Sequence, residues 1–128
     1  MTPFRPKHVA VFSLWAEKVV TVAHFYRDIV RLSLLPHHDH QPAFVLGHGS
    51  YLVINRGQPV PARNSEPPDF PLIAFAVEDL DTAIEHLEVH GIELPWGVET
   101  DENSRWVKFR DPAGNLIEFV QFDKPMHP

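Results

Sequence analysis

Glu118 is a carboxylate in a segment that is otherwise apolar. It lies in the run 116–122, in which Glu118 and Gln121 are the two polar residues. Burying an ionised carboxylate is costly unless a cation, a metal or hydrogen-bond donors compensate its charge. The residue type and its setting therefore predict a functional carboxylate, which either transfers a proton or binds a metal or another ligand.

Histidines are the second group of residues with metal chemistry. The chain has nine of them, and four lie close together, at His37, His38, His40 and His48. Such a cluster is typical of a metal site, but solvated loop histidines are the commoner interpretation and the one that we favour. His8 stands near the start of the first predicted strand, where a metal ligand and a solvated histidine are equally good interpretations.

Composition limits the class of protein. A length of 128 residues predicts one domain, 1–128, and hydrophobic and charged fractions of 44% and 22% are those of an ordinary globular protein. The absence of cysteine excludes disulfides and thiolate metal sites. A net charge of −6 without a basic block argues against nucleic acid as a partner. With no signal-peptide core and no membrane-length apolar run, we expect a cytoplasmic protein without a membrane partner.

The chain repeats one pattern of secondary structure. A strand, a helix and three strands are predicted in module one, about residues 7–56, and again in module two, about residues 70–122. A segment with four prolines and no periodicity, about residues 57–69, links the modules. The duplication predicts an α+β fold of paired βαβββ modules.

The boundaries of the elements follow from periodicity, caps and turns. The predicted strands are 7–14, 32–36, 43–46 and 51–55 in module one, and 71–77, 93–98, 105–110 and 116–122 in module two. The first helix carries apolar residues at spacings of three and four from Val19 to Val30. The second helix begins at Asp79 or Asp81 and ends at Gly91.

Alternation along each strand separates a face that packs on the helix from a face that lines a central cleft. In the first strand, Val9 and Val11 are predicted to face the helix. The residues predicted to line the cleft are His8, Ala10, Tyr51, Val53, Asn55, Leu72, Ala74 and Glu118. His8 and Glu118 would then share one cavity.

Other conspicuous residues have structural interpretations. Asp111 and Asn115 belong to the turn Asp-Pro-Ala-Gly-Asn, whose residues favour tight turns, and we give them no chemistry. Trp15, Trp96 and Trp106 are of a type that stacks on ligands, but in so small a domain such residues more often belong to a core or a dimer interface.

Five short motifs occur in a characteristic order. They are His-Val-Ala-Val at 8–11, Phe-Tyr-Arg-Asp at 25–28, Ile-Ala-Phe-Ala-Val-Glu-Asp-Leu at 73–80, His-Gly at 90–91 and Phe-Arg-Asp-Pro-Ala-Gly-Asn-Leu-Ile-Glu at 109–118. Together they resemble the vicinal oxygen chelate superfamily, which includes glyoxalase I, bleomycin-resistance proteins and extradiol dioxygenases. The resemblance covers nearly the whole chain. It implies paired modules that form a half-open, barrel-like sheet, a homodimer, and often a divalent metal such as Zn, Ni, Fe or Mn.

Carried over residue by residue, the resemblance puts the family's first-strand ligand on His8 and its last-strand carboxylate on Glu118. The fifth-strand ligand, usually histidine, falls on Leu72, which cannot bind a metal, and a fourth-strand glutamate falls near Asn55. Because a catalytic metal site normally has three protein ligands, this set is incomplete unless a loop histidine joins it. Arg31 also stands where the family usually has a glycine after the first helix.

Two functions of different class follow. In the first, the protein binds a small organic molecule in an apolar cleft, as the bleomycin-resistance type does, and needs no metal; Ala10, Leu72 and Ala74 favour it. In the alternative, His8 and Glu118 bind a divalent metal in a lyase, an isomerase or a dioxygenase, and either Glu118, as the catalytic group, or a water carries a proton. Because Leu72 occupies a ligand position, we favour the first.

Overall fold

The computed structural model describes residues 4–36, 40–59 and 71–123. The chain divides into two compact units between Val60 and Pro61. Residues 60–69 of the predicted linker, together with His37 and His38, lie outside the described residues.

Each unit consists of a strand, a helix and three strands, so the predicted α+β class and the repeated βαβββ modules are confirmed. Unit one contains β1 (Val11–Ala16), α1 (Val19–Asp28), β2 (Ser33–Leu34), β3 (Ala43–Gly47) and β4 (Ser50–Arg56). Unit two contains β5 (Ile73–Ala76), α2 (Leu80–Val89), β6 (Glu99–Thr100), β7 (Ser104–Arg110) and β8 (Leu116–Phe122).

The two sheets have the same topology. Their strand orders are β1-β4-β3-β2 and β5-β8-β7-β6. In each sheet the first pair is parallel and the others are antiparallel. A parallel pair needs a long crossover, and each helix lies in that crossover. Neither helix in the described part of the chain is long and apolar enough to cross a membrane.

Both helices are held by one apolar side. The buried residues of α1 are Val19, Val22, Ala23, Phe25 and Tyr26, as the predicted spacing requires. In α2, Leu80 and Leu87 are fully buried. Asp79 is the residue that caps α2, because its Oδ1 accepts hydrogen bonds from the backbone N–H groups of Asp81 and Thr82 at 3.0 and 3.3 Å.

The first predicted strand is shifted and its faces are reversed. It begins at Val11 rather than residue 7, and Val11, predicted to face the helix, is 52% exposed. Leu14 and Ala16 are buried instead, and Leu14 pairs with Ile54, which is also fully buried. The apolar run 9–12 supports either parity in the sequence, and pairing with β4 decides between them.

The strand predicted over 93–98 is also wrong. That segment is irregular, and the only pairing in its neighbourhood is the two-residue strand β6. Pro95 lacks a backbone N–H for a strand ladder, and Gly97 has a φ of +62°, which breaks an extended chain. The other predicted strands are present with changed ends, and β8 has the predicted bounds.

Arg31 is the one described non-glycine residue with a positive φ, at 67°. It follows α1, where Leu32 N–H donates to Tyr26 O at 2.9 Å and closes the helix end. Gly91 takes the corresponding place after α2, with a φ of +70°. A side chain with a Cβ is strained in this region, whereas glycine is not.

Replacing Arg31 with glycine should raise the free energy of unfolding by up to about 1 kcal/mol. Glycine removes the strain of a Cβ at positive φ from the folded state, and this gain exceeds the cost of the greater freedom that glycine gives the unfolded chain. Urea unfolding followed by circular dichroism measures the change. Arg31→Ala is the matched control, since it removes the long side chain but keeps the Cβ, and it should not gain stability. Equal gains in both variants would contradict the strain explanation.

Asp111 holds the turn between β7 and β8. The residue is 4% exposed. Its carboxylate accepts hydrogen bonds from Ala113 N–H at 2.9 Å, Asn115 N–H at 3.0 Å and Asn115 Nδ2 at 2.9 Å. Gly114 completes the turn with a φ of +93°. These contacts confirm the turn role that the sequence assigned to both residues.

Asp111→Ala should lower the free energy of unfolding by about 2–3 kcal/mol, because buried donors lose their acceptor. Asp79→Ala is the control to measure beside it by the same urea titration. The carboxylate of Asp79 also accepts three hydrogen bonds, from Asp81 N–H, Thr82 N–H and Thr82 Oγ1, but Asp79 and both donor residues are exposed. We expect the smaller loss there, and equal losses would show that burial of Asp111 does not matter.

Candidate functional site

The sheet of unit two has one face against α2 and one face opposite to it, which we call the open face of unit two. Val107, Phe109, Ile117 and Phe119 are buried on the helix side. Because side chains alternate along a strand, the residues between them lie on the open face. The open face of unit two carries Ala74, Ala76, Glu99, Trp106, Lys108, Arg110, Leu116, Glu118 and Val120.

Glu118 is the half-buried carboxylate near the centre of this face. It pairs with Ala74 on one side and with Lys108 on the other. Desolvation by burial raises the pKa of Glu118, the charge of Glu99 raises it further, and the charge of Lys108 opposes the shift. Within the described ranges, no group donates a hydrogen bond to its carboxylate. Glu118 is therefore partly removed from water without a hydrogen-bond donor in that part of the chain.

Lys108 is held by other residues. Its Nζ donates to Glu99 Oε1 at 2.6 Å, and its side chain is 12% exposed. The same Nζ lies 5.8 Å from the centre of the Trp96 ring, within the range of a cation–π contact. The ammonium thus has one carboxylate and one aromatic ring as neighbours in addition to Glu118.

Arg110 is the next residue after Lys108 on the same face of β7. Its guanidinium carbon is 5.8 Å from the centre of the Trp96 ring, and its Nη1 donates to Gly114 O at 3.3 Å. A shallow cavity of about 230 Å³ adjoins it and is lined by Gly91, Ile92, Glu93, Pro95 and Arg110. The Trp96 ring therefore lies within cation–π range of two cationic groups of β7.

In unit one, the face opposite α1 is apolar. Pairing of β1 with β4 puts Val11, Ser13 and Trp15 on the same face as Tyr51, Val53 and Asn55. Tyr51 is 37% exposed and Trp15 is 47% exposed. The predicted orientation of the β4 residues, away from the helix, is confirmed, because Leu52 and Ile54 between them are fully buried.

The polar candidates of unit one have structural partners. His8 lies before β1 and is exposed, with its Nε2 3.2 Å from Gly49 O. The ring lies so close to Gly49 that a Cβ there would be 3.0 Å from His8 Nε2. Asn55 is bonded at both ends of its amide, since Oδ1 accepts from Gln41 and Nδ2 donates to Leu14 O. The carbonyl of Ala10 accepts from Tyr51 N–H at 2.9 Å.

His40 and His48 are exposed. His37 and His38 lie outside the described residues. The interpretation of the histidine cluster as a solvated loop therefore stays a prediction. The described residues contain no group of three or more His, Asp or Glu side chains arranged to hold a metal ion.

A family model decides the relationship of this chain to known proteins. The model of the Glyoxalase/Bleomycin resistance protein/Dioxygenase superfamily matches residues 5–119. The chain belongs to this superfamily. The resemblance inferred from the motifs at 8–11, 25–28, 73–80, 90–91 and 109–118 is thereby confirmed.

Solved structures share the fold of this superfamily member. A lactoylglutathione lyase from Agrobacterium tumefaciens is 21% identical, with 91% of this chain and 95% of that chain covered and a TM-score of 0.69. An antibiotic binding protein from a Streptomyces species is 22% identical, with coverages of 94% and 99% and a TM-score of 0.72. A fosfomycin resistance protein from Mesorhizobium loti is 14% identical, with coverages of 91% and 93% and a TM-score of 0.72. No curated protein matches the sequence.

The superfamily often uses a divalent metal, so the donor set of this chain has to be tested against one. Counted back from the first residues of the two helices, Val19 and Leu80, Ser13 corresponds to Ala74. Their strand partners, Val53 and Glu118, therefore correspond to each other. By the same duplication, the residue equivalent to Leu72 is Val11. Val11 rather than His8 thus stands at the first-strand position, and Val53 rather than Asn55 at the fourth-strand position. Carboxylate and imidazole donors suit these metals and aliphatic side chains do not, so the residues present do not fit a metal.

The predicted cleft did not include the polar and aromatic members Glu99, Trp106, Lys108 and Arg110 of the open face of unit two, nor Trp96, whose ring lies near Lys108 and Arg110. A pattern for Lys108 was available, because buried Val107 and Phe109 flank it and the turn at 111–115 brings its strand back beside Glu118. Glu99 and Trp96 had no such pattern, since the strand predicted over 93–98 is absent.

Glu118→Gln should raise the free energy of unfolding at neutral pH, because desolvation raises the pKa of Glu118 and the fold disfavours its ionised form. A carboxyl whose folded pKa is raised binds its proton more tightly in the folded chain. The wild type therefore loses stability as pH rises from the unfolded pKa, about 4.3, through the folded pKa, and the loss persists above it. The advantage of glutamine should develop over that interval and vanish below it.

Urea titrations of both proteins between about pH 3.5 and 7.5 cover the interval. Glu88→Gln, an exposed change on α2, is the control and should leave stability almost unchanged at each pH. A glutamine advantage at position 118 that is the same at low pH would mean that packing, not charge, causes it.

Proposed function

We propose that this member of the superfamily binds a small organic molecule on the open face of unit two and needs no metal for it. The observation that carries the proposal is Glu118. Its carboxylate is half-buried, has a raised pKa and has no hydrogen-bond donor in the described ranges. Such a group lowers the stability of the folded protein, and perturbed carboxylates concentrate at functional sites.

The surroundings of Glu118 suit an organic ligand. Ala74 and Ala76 are small and exposed on β5, and half-buried Leu116 lies on the same face of β8. Small-molecule sites are mostly apolar with a few placed polar groups, and this face has that composition. The Streptomyces protein of the same fold, which binds an antibiotic, supports the view that this architecture accommodates organic molecules.

The predicted cleft also included residues of unit one, and their part in the ligand site stays a proposal. Tyr51 and Val53 are suited to apolar contact, whereas His8 and Asn55 are already engaged with backbone and side-chain groups. A homodimer likewise stays a proposal that the resemblance implies.

The metal-dependent lyase, isomerase or dioxygenase would need His8 to join Glu118 as a ligand. The register argues against it, because the equivalent strand positions hold Val11, Val53 and Leu72. Elemental analysis of protein purified without chelator tests this point, and we expect substoichiometric Zn, Ni, Fe and Mn. Near-stoichiometric metal that is lost in Glu118→Ala would overturn the metal-free proposal, as would a rise in Tm on adding a divalent ion to wild type alone.

A thermal-shift screen of small organic molecules tests ligand binding directly. Compounds that raise the Tm of the wild type should bind Glu118→Leu about tenfold or more weakly, because a hydrogen bond to a charged group is lost. Glu88→Leu makes the same exchange on the exposed side of α2 and should leave the shifts intact. Compounds that stabilise all three proteins equally would show that binding occurs away from Glu118.

A further inference from the structure

We infer that Lys108 is a second polar contact of the ligand site and makes it select ligands with a hydrogen-bond acceptor beside a donor, such as a carboxamide or a lactam. This inference rests on the proposed ligand site on the open face of unit two. It assigns to Lys108 a specificity-determining role and to Glu99 a positioning role.

The strand register brings the two groups together. Lys108 and Glu118 are direct partners across the antiparallel pair of β7 and β8. Directly opposed residues have Cβ atoms about 4.5–5.5 Å apart and present their side chains on the same face. Neighbouring N–H and C=O groups of an amide could therefore meet Glu118 and Lys108 at the same time.

The hydrogen-bonding capacity of the two groups is complementary. An ammonium has three N–H donors and an ionised carboxylate is an acceptor only. Lys108 gives one donor to Glu99 at 2.6 Å, and no other described residue accepts from it. Glu118 accepts from no described residue. Donor capacity on Lys108 and acceptor capacity on Glu118 thus stand side by side.

Glu99 and Trp96 keep the two capacities separate. If Lys108 turned fully to Glu118, the two groups would pair with each other. The site would then offer a ligand neither the donor of Lys108 nor the acceptor of Glu118. The short bond to Glu99 and the Trp96 ring 5.8 Å from Nζ oppose that movement. A side chain only 12% exposed also has little room to turn. Groups that are held before binding cost less entropy when the ligand arrives.

The charges of Lys108 and Glu118 favour a neutral ligand that has both a hydrogen-bond donor and a hydrogen-bond acceptor. A carboxylate ligand would pair with Lys108 but would be repelled by Glu118. An amine ligand would pair with Glu118 but would be repelled by Lys108. An amide satisfies both groups without repulsion, and unsatisfied or like-charged contacts are a main source of specificity.

Three probes of similar size test the inference, namely benzamide, benzylamine and benzoate. Each is titrated into the full chain, and binding is followed by the NMR shifts of the tryptophan indole N–H groups. Benzamide should bind the wild type about tenfold more tightly than the other two. Lys108→Met should weaken benzamide about tenfold and leave benzylamine unchanged or tighter, because a repulsive charge is removed. Lys108→Gln, which restores a neutral donor, should recover part of the loss for benzamide.

Glu99→Gln supplies an independent variant that leaves Lys108 in place. It should weaken benzamide because Lys108 then turns to Glu118, while the protein stays folded by circular dichroism. Lys18→Met, an exposed change in unit one, is the control and should change nothing. Benzamide affinity that is unaffected by Lys108→Met, or tighter binding of benzoate or benzylamine, would overturn the role of Lys108 and leave the ligand site standing. Failure of all three probes to shift the indole N–H of Trp106, the tryptophan of the open face of unit two, would overturn both proposals.

Discussion

The candidate site depends on the register of β7 against β8, and the Asp111 carboxylate sets that register. Its hydrogen bonds to Ala113 and Asn115 fix a turn of one length and shape. The turn places Lys108 opposite Glu118. A slip of one residue would exchange the two faces of a strand, so that the charged groups would meet α2 and the core residues would meet the open face. The turn therefore acts on the chemistry of the site although its own residues have no chemical role.

The same βαβββ scaffold occurs twice in the chain and carries different side chains each time. In unit two the central position of the last strand is Glu118, and in unit one the equivalent position is Val53. Packing against the helix requires apolar residues on one face only, so the opposite face is free to differ between the modules. Duplication explains the fold, whereas the residues opposite the helix differ between the two modules.

Glu118 illustrates how a site can oppose stability. Its raised pKa means that the folded chain disfavours the ionised form, and the nearest cation is already paired with Glu99. Proteins tolerate such a cost of charge burial where a ligand later supplies the missing contact. The Glu99–Lys108 pair gives the site a fixed donor without neutralising its acceptor. The electrostatics of the open face of unit two are thus consistent with recognition of a neutral polar group.

The sequence alone determined the α+β class, the duplication and the face on which Glu118 lies, because each depends on local spacing or turns. It narrowed the cap of the second helix to Asp79 or Asp81, and the structure identifies Asp79. The tertiary structure decided the rest. The start and parity of β1 came from pairing with β4, which is distant in sequence. The contact between Lys108 and Glu99 required the β6–β7 pairing after an irregular segment that contains Trp96. Strand alternation assigns faces only when the start and partner of a strand are known, and those are tertiary facts.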